Sequence, residues 1–261
     1  MPSTHEAGFV TCEFCGRELR EIEPPAWVAD LEILTGAQFA PTYERCDCEE
    51  AVRANAERLE AKWSEEAIAA VGDAKSRMRA MALRAGIPER YVLKGMDDRE
   101  LYEELVSCAE SGTGLFITGD TGVGKTHAAC AVAQRFLMRG KTVRFADPEQ
   151  IEREVTASWK RMATGDERGV IARYVDADLV VIDDLGGEQM SSTTMKALRA
   201  IISGREGRDA VTVFTSNLTR EQFACRVAEK SDEVMAGRLA SRIKGMTRMF
   251  PIEGPDRRIA R

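Results

Sequence analysis

The chain has 261 residues, 44% hydrophobic and 31% charged, with a formal net charge of −6. This is the composition of a globular protein with one sizeable core and an appendage; it excludes a wholly basic nucleic-acid coat protein but leaves room for a local basic groove. No apolar run approaches the roughly 20 residues of a membrane-spanning helix, and the opening MPSTHEAGF lacks the basic and apolar regions of a signal peptide, so a cytoplasmic protein is expected.

Seven cysteines in a reducing compartment do not suggest a disulfide framework, yet four of them are grouped. Cys12 and Cys15 form a CxxC knuckle followed by Gly16, and Cys46 and Cys48 form a tighter pair. Four thiolates in two pairs suit a closed tetrahedral zinc site; the competing reading is a pair of unrelated thiols, one of them redox-active. His5 is a weaker candidate ligand, and Cys108, Cys130 and Cys225 fall in apolar helical patterns as packing residues.

Residues 49–84 are rich in Ala, Glu, Arg and Lys, with Leu59, Trp63, Ile68, Val71, Met78 and Met81 at helical spacing. They predict one long helix or two shorter ones, with Gly72 as the break. The run AGIPERY at 85–91 stops that helix, and Asp97-Asp98 caps another that reaches about Ser111. The segment between them precedes a nucleotide-type loop and is placed to fold over a purine base, or is a plain linker.

Residues 114–129 read GLFITGDTGVGKTHAA. A short buried strand at 115–118 leads into Gly119, Asp120, Thr121, Gly122, Val123, Gly124, Lys125 and Thr126, which fit G-x-x-x-x-G-K-[ST]; an Ala-rich helix follows from there to about Met138. Glycines at 119, 122 and 124 let successive N–H groups turn toward phosphate oxygens, and the helix N-terminus adds partial positive charge. Lys125 is spaced to reach the β- and γ-phosphates, the Thr126 hydroxyl to ligate Mg²⁺, and His127 to close the binding segment.

KTVRFA at 141–146 is a second strand. Asp147, Pro148 and Gln150 are the N-cap, first helical turn and capping-box position of a helix over 148–163. That helix carries Arg153, Trp159, Lys160 and Arg161, which suit either a single-strand contact or an amphipathic surface. After a helix over 166–175, ADLVVIDDL at 177–185 is a buried strand ending in two acids. At the carboxyl end of a parallel strand Asp183 can hold Mg²⁺ and Asp184 can orient a water. A helix over 191–205 and the strand AVTVFTS at 210–216 follow, with Asn217 at its end, either touching a phosphate or turning the chain. A helix over 231–244 puts Arg238 and Arg242 on one face, suited to a neighbouring subunit's phosphate or to solvent, and 248–252 is an edge strand before a basic tail.

Together these pieces resemble the AAA+ ATPases, and within them the DnaC/DnaI-type helicase loaders and their IstB-type relatives, over about residues 86–258. The carriers are GIPERY at 86–91, GDTGVGKT at 119–126, LVVIDDLGGE at 179–188, TSNLT at 215–219 and GRLASRI at 237–243. The resemblance implies an α/β fold: a P-loop five-stranded parallel sheet flanked by helices, preceded by a small zinc-binding domain and a connecting helix. It divides the chain into a helicase-interacting domain at 1–60, a linker at 61–85 and an ATPase domain at 86–261. Lys125 and Thr126 would be the Walker A residues, Asp183 the Walker B magnesium acid, Asn217 sensor 1, and Arg242, assisted by Arg238, the arginine finger given to the next protomer. The family's usual catalytic acid is Glu; Asp184 is one methylene shorter, which implies slow turnover stimulated by single-stranded DNA and assembly, with Glu188 as the fallback acid. The implied protein is a bacterial or phage loader that uses ATP, Mg²⁺ and Zn²⁺, binds a replicative DNA helicase and single-stranded DNA, and self-assembles with ATP. The alternative is an IstB-type ATPase helper of DNA transposition, which generally lacks the cysteine cluster. A small-molecule phosphotransferase and a non-hydrolysing nucleotide-gated module are more distant readings.

Overall fold

The computed structural model describes residues 9–22, 42–44, 46–52, 65–160, 167–187, 190–228 and 233–257. His5, Leu59, Trp63, Arg161 and Glu188, named above, lie outside them. The chain divides into two compact units, Met1–Arg77 and Met78–Arg261. Among the described residues no helix is long and apolar enough to cross a membrane.

The first unit is built on three short antiparallel strands, β1 (Phe9–Thr11), β2 (Glu18–Ile22) and β3 (Thr42–Tyr43). Val10 opposes Leu19, so the β1–β2 hairpin folds back through the Cys12–Gly16 knuckle. Gly16 takes φ +73°, where a glycine avoids the Cβ penalty, and its N–H donates to the Cys12 carbonyl at 2.9 Å. Cys12, Cys46 and Ala51 form the small buried cluster, with Leu19 and Cys48 packed against it.

Helix α1 (Glu65–Ala85) runs through Gly72 without a break, as in the one-helix alternative of the sequence reading. A glycine there costs about 1 kcal/mol relative to Ala, which a 21-residue helix absorbs. The stop comes at Gly86 (φ +95°), where Ile87 N–H reaches back to the Ala82 carbonyl at 3.0 Å, a Schellman ending, and Pro88 prevents continuation. A Cβ on Gly86 would lie 2.2 Å from the Phe145 carbonyl, so close backbone approach fixes this residue as well.

The second unit then alternates helices and strands: α2 (Arg99–Glu110), β4 (Gly114–Thr118), α3 (Lys125–Met138), β5 (Val143–Ala146), α4 (Pro148–Lys160), α5 (Glu167–Val175), β6 (Leu179–Ile182), α6 (Ser192–Glu206), β7 (Val211–Ser216), α7 (Arg220–Ala228), α8 (Glu233–Met246) and β8 (Thr247–Pro251). The strands form one parallel sheet in the order β5-β6-β7-β4-β8, the five-stranded α/β architecture expected. β4, β6 and β7 are buried along their whole length, which is why they read as unbroken apolar runs. Phe116, Val180, Ile182 and Phe214 join a core with Ile151, Tyr174, Leu198, Ile201 and Ile243 from the helices. The alternate residues Leu115, Ile117, Val181 and Val213 are equally buried and by strand alternation face the opposite side.

Local signals work as written at three helix starts. Asp98 accepts from Leu101 N–H at 3.0 Å, Ser191 from Thr194 N–H at 3.1 Å and Asp147 from Gln150 N–H at 2.6 Å. The expected capping box at Gln150 is only half made, because its side-chain amide donates to Glu154 one turn on and does not accept from the Asp147 N–H. Cys130 is buried as expected, but Cys225 is exposed, since Phe223 and Val227 form the inward face of α7.

The N-terminal edge of the sheet is tied by a buried cation. Arg205, 0% exposed at the end of α6, donates to the Tyr174 and Ala177 carbonyls at 2.8 and 2.7 Å, to Thr212 Oγ1 at 2.8 Å, and to the Val211 carbonyl. Burial pushes its pKa down to about 10. Replacement by Met would leave several buried carbonyls without a donor, each costing on the order of 1–3 kcal/mol. Arg205→Met is therefore expected to lower unfolding free energy by about 3 kcal/mol in urea titrations at unchanged slope; a loss under about 1 kcal/mol would contradict this role.

Candidate nucleotide-binding site and cysteine cluster

The carboxyl end of β4 delivers the chain into the glycine loop. Gly119, Gly122 and Gly124 take φ +149°, +86° and +110°, conformations that L side chains rarely adopt. Gly124 in the left-handed region is the N-cap of α3, so Lys125 is the first helical residue and Thr126 the second. Lys125 is buried, and its Nζ donates to the Gly119 and Asp120 carbonyls at 2.9 and 2.7 Å, folded along its own loop.

β6 and β4 are separated by β7, and this order brings residues 126 and 183 together. Thr126 Oγ1 donates to the Asp183 carboxylate at 3.0 Å, and Thr215 Oγ1, from β7, donates to it at 2.6 Å. Burial raises the Asp183 pKa, against the lowering effect of these two hydroxyls. A hydroxyl and a desolvated carboxylate side by side form an oxygen donor set that fits a hard divalent cation such as Mg²⁺. Asp184 follows in the left-handed region (φ +53°), exposed, with its N–H donating to Thr215 Oγ1 at 2.8 Å. One threonine hydroxyl therefore locks both acids, a residue the sequence reading passed over within TSNLT. A Cβ on Gly187 would sit 2.5 Å from the Asp184 carboxylate, so the turn after β6 closes tightly under that acid. Asn217 stands exposed just past β7, and Asp120 and Thr121 are exposed on the loop.

Two further segments meet the loop. His127 stacks on Tyr91 at 5.7 Å between centroids, which sets the GIPERY segment beside the first turn of α3; burial lowers the His127 pKa, and its buried Nε2 has no hydrogen-bond partner among the described residues. The stretch after β8 also crosses the loop: Ile252 N–H donates to the Thr118 carbonyl at 2.7 Å and Arg257 N–H to the Gly122 carbonyl at 3.1 Å. The Asp256 carboxylate lies where a Gly122 Cβ would be, 1.9 Å from that position. Sequence gave no signal for this strap beyond the turn residues Gly254-Pro255, because it has no periodicity.

Arg238 and Arg242 lie on α8, away from these groups. Arg238 is exposed; Arg242 Nε pairs ionically with Glu206 at 3.0 Å and its Nη1 donates to Ser203 Oγ. Ser203 and Glu206 flank Arg205, whose bonds end at residues preceding β6 and beginning β7. Arg242 thus belongs to the N-terminal edge of the sheet, whereas the glycine loop is at the carboxyl edge. On α4, Arg153 pairs with Glu149 at 2.7 Å, and half-exposed Trp159 donates its indole N–H to Glu167 at 3.1 Å.

In the first unit the ligand atoms of Cys12, Cys15, Cys46 and Cys48 all lie within 4.8 Å of one another, with Cys15–Cys46 and Cys12–Cys48 sulfurs 3.3 and 3.9 Å apart. A tetrahedral zinc with Zn–S near 2.3 Å spaces its sulfurs about 3.8 Å apart, so the four thiols fit such an ion. Hydrogen bonds from the Cys15 and Phe14 N–H groups bring Cys12 down to about 7, in the range where a thiolate ligand forms readily.

Comparison with known proteins follows this geometry. The model of the family described as IstB-like ATP binding protein matches residues 74–261. The replicative helicase loader DnaI of Bacillus subtilis is 24% identical over 152 residues, covering 56% of this chain and 48% of DnaI. The replicative helicase loader DnaC of Escherichia coli is 25% identical over 116 residues, covering 44% of this chain and 47% of DnaC. The chain thus spans about half the length of the curated relatives it matches. A crystal structure of DnaI superposes with a TM-score of 0.51 at 25% identity, covering 61% of this chain and 87% of that one.

The glycine loop yields a direct test. Gly122→Ala would force a Cβ onto a left-handed backbone and against Asp256. Its affinity for a fluorescent ATP analogue is expected to fall by about tenfold, the equivalent of 1–2 kcal/mol of strain. Unchanged affinity would contradict the placement of phosphates on this loop.

Proposed function

The chain belongs to the IstB-like ATP-binding protein family, and from that premise we propose that it is an ATP-driven loader of a replicative DNA helicase. The observation that carries this reading is one chain that holds a four-thiol cluster in a first unit and a phosphate loop with a buried acid in a second. The similarity to two proteins named replicative helicase loaders supports it. In this reading residues 1–60 hold zinc and grip the helicase, 61–85 connect, and 86–261 bind ATP, single-stranded DNA and further copies of the chain.

Nucleotide binding draws the Lys125 ammonium from the Gly119 and Asp120 carbonyls onto the β- and γ-phosphates. Thr126 and Asp183 would hold Mg²⁺, which when bound would supply charge neutralisation at the phosphates. Asp184 accepts the proton of the attacking water, and Asn217 hydrogen-bonds that water or the γ-phosphate. The Thr215 hydroxyl holds the Asp184 backbone, so the acid is aimed by β7. Arg242 stabilises the transferring phosphoryl group of the next protomer, with Arg238 assisting. Its position at the sheet's N-terminal edge favours action between protomers over action on its own nucleotide. Asp184 reaches about 1 Å less than a Glu, enough to slow hydrolysis substantially, and slow hydrolysis suits a timer released by assembly on DNA.

Two outcomes are expected. Lys125→Ala abolishes ATP binding, and wild-type phosphate release rises with single-stranded DNA more than with duplex; preference for duplex would instead indicate a transposition helper. Metal analysis yields one zinc per chain, and Cys15→Ser with Cys46→Ser removes zinc and helicase capture in pull-downs while ATP binding persists. Helicase capture by the zinc-free variant would contradict the role given to the first unit.

A further inference from the structure

Arginine acting across a subunit boundary must arrive in a defined rotamer, because its planar fork is useful only when its donors face the phosphate. Arg242 is held at two points. Its Nε forms an ion pair with Glu206 Oε2 at 3.0 Å, and its Nη1 donates to Ser203 Oγ. Ser203 and Glu206 are three residues apart on the last turn of α6, so they meet the guanidinium from one helix face.

That helix turn is itself immobilised. Arg205, between them in sequence, is fully buried and bonded to backbone carbonyls around the starts of β6 and β7. The holder of Arg242 is therefore fixed to the sheet rather than carried on a loop. A guanidinium offers five N–H donors in one plane. Two of its nitrogens are engaged here, and the plane fixes the direction of the donors that remain. The Arg242 side chain is 37% exposed, which leaves it accessible at the molecular surface.

We infer that Glu206 and Ser203 are positioning residues for Arg242: they set its guanidinium before assembly, so that the incoming phosphate of a neighbouring protomer meets an oriented donor. The inference rests on the reading of Arg242 as the group supplied between protomers. Neither Glu206 nor Ser203 touches nucleotide in this scheme; each acts through Arg242.

The consequence is a loss of turnover without a loss of nucleotide affinity. Glu206→Ala and Ser203→Ala in the full-length chain, on single-stranded DNA, are expected to lower kcat for ATP hydrolysis about tenfold with KM within about twofold of wild type. A structural defect is separated from misorientation by mixing protomers. Glu206→Ala keeps its own nucleotide site but offers a misdirected arginine; Lys125→Ala has a dead nucleotide site but an intact arginine. An equal mixture of the two is expected to recover at least half the hydrolysis of wild type mixed with Lys125→Ala. Arg242→Ala mixed with Lys125→Ala is the parallel control and should recover likewise.

Wild-type or faster hydrolysis by Glu206→Ala alone overturns the inference. So does a slow Glu206→Ala that Lys125→Ala fails to rescue when it does rescue Arg242→Ala, because the defect then lies in the variant's own site or fold. If Arg242→Ala alone hydrolyses as fast as wild type, the assignment of Arg242 fails, and the inference falls with it.

Discussion

A carboxylate shielded from water must be paired, and Asp183 is the place where this chain faces that requirement. Burial raises its pKa, and hydroxyls from two other segments, Thr126 and Thr215, answer it. Those two residues reach it only because β7 lies between β6 and β4 in a parallel sheet. Sheet order, glycine loop and acid are thus one constraint: a different register would strand Asp183 and separate Thr126 from it. A site of this kind is poised for a cation, since charge on Asp183 is more stable when a positive ion shares its oxygens.

The two edges of the sheet carry different chemistry. The carboxyl edge gathers the loop, the acids and the strap from β8. The N-terminal edge is locked by Arg205 and presents Arg242 from α8. In the proposed function the glycine loop on one edge grips the nucleotide and Arg242 on the other edge serves the neighbouring protomer, so that self-association is the arrangement in which both edges share one reaction centre.

Much of the fold was legible because its determinants are local or periodic. β4, β6 and β7 are buried on both faces and so appear as continuous apolar runs bounded by turn residues, and Asp98, Asp147 and Ser191 announce helix starts with their own side chains. Side-by-side placement of Thr126 and Asp183 was legible for a related reason, since a glycine loop and an acid ending a parallel strand share the sheet's carboxyl edge. What escaped is non-local or energetically shallow. Gln150 could turn back to accept from the Asp147 N–H or reach on to Glu154, and the outcome depends on side-chain direction rather than spacing. Thr215 looks like any β-branched strand residue until its neighbours on β6 are known. Arg205 looks like an ordinary basic residue closing a helix, and only the topology turns carbonyls from two other segments toward it. The strap over Gly122 leaves no periodic trace at all.

The measurement that bears most directly on this account is a cryo-EM structure of the chain assembled on single-stranded DNA with a non-hydrolysable ATP analogue. The account predicts a nucleotide cradled by Lys125 and Thr126 of one protomer, with the guanidinium of Arg242 from the adjacent protomer within hydrogen-bonding distance of the terminal phosphate. An assembly in which Arg242 faces solvent or protein at every interface, far from any nucleotide, would contradict it.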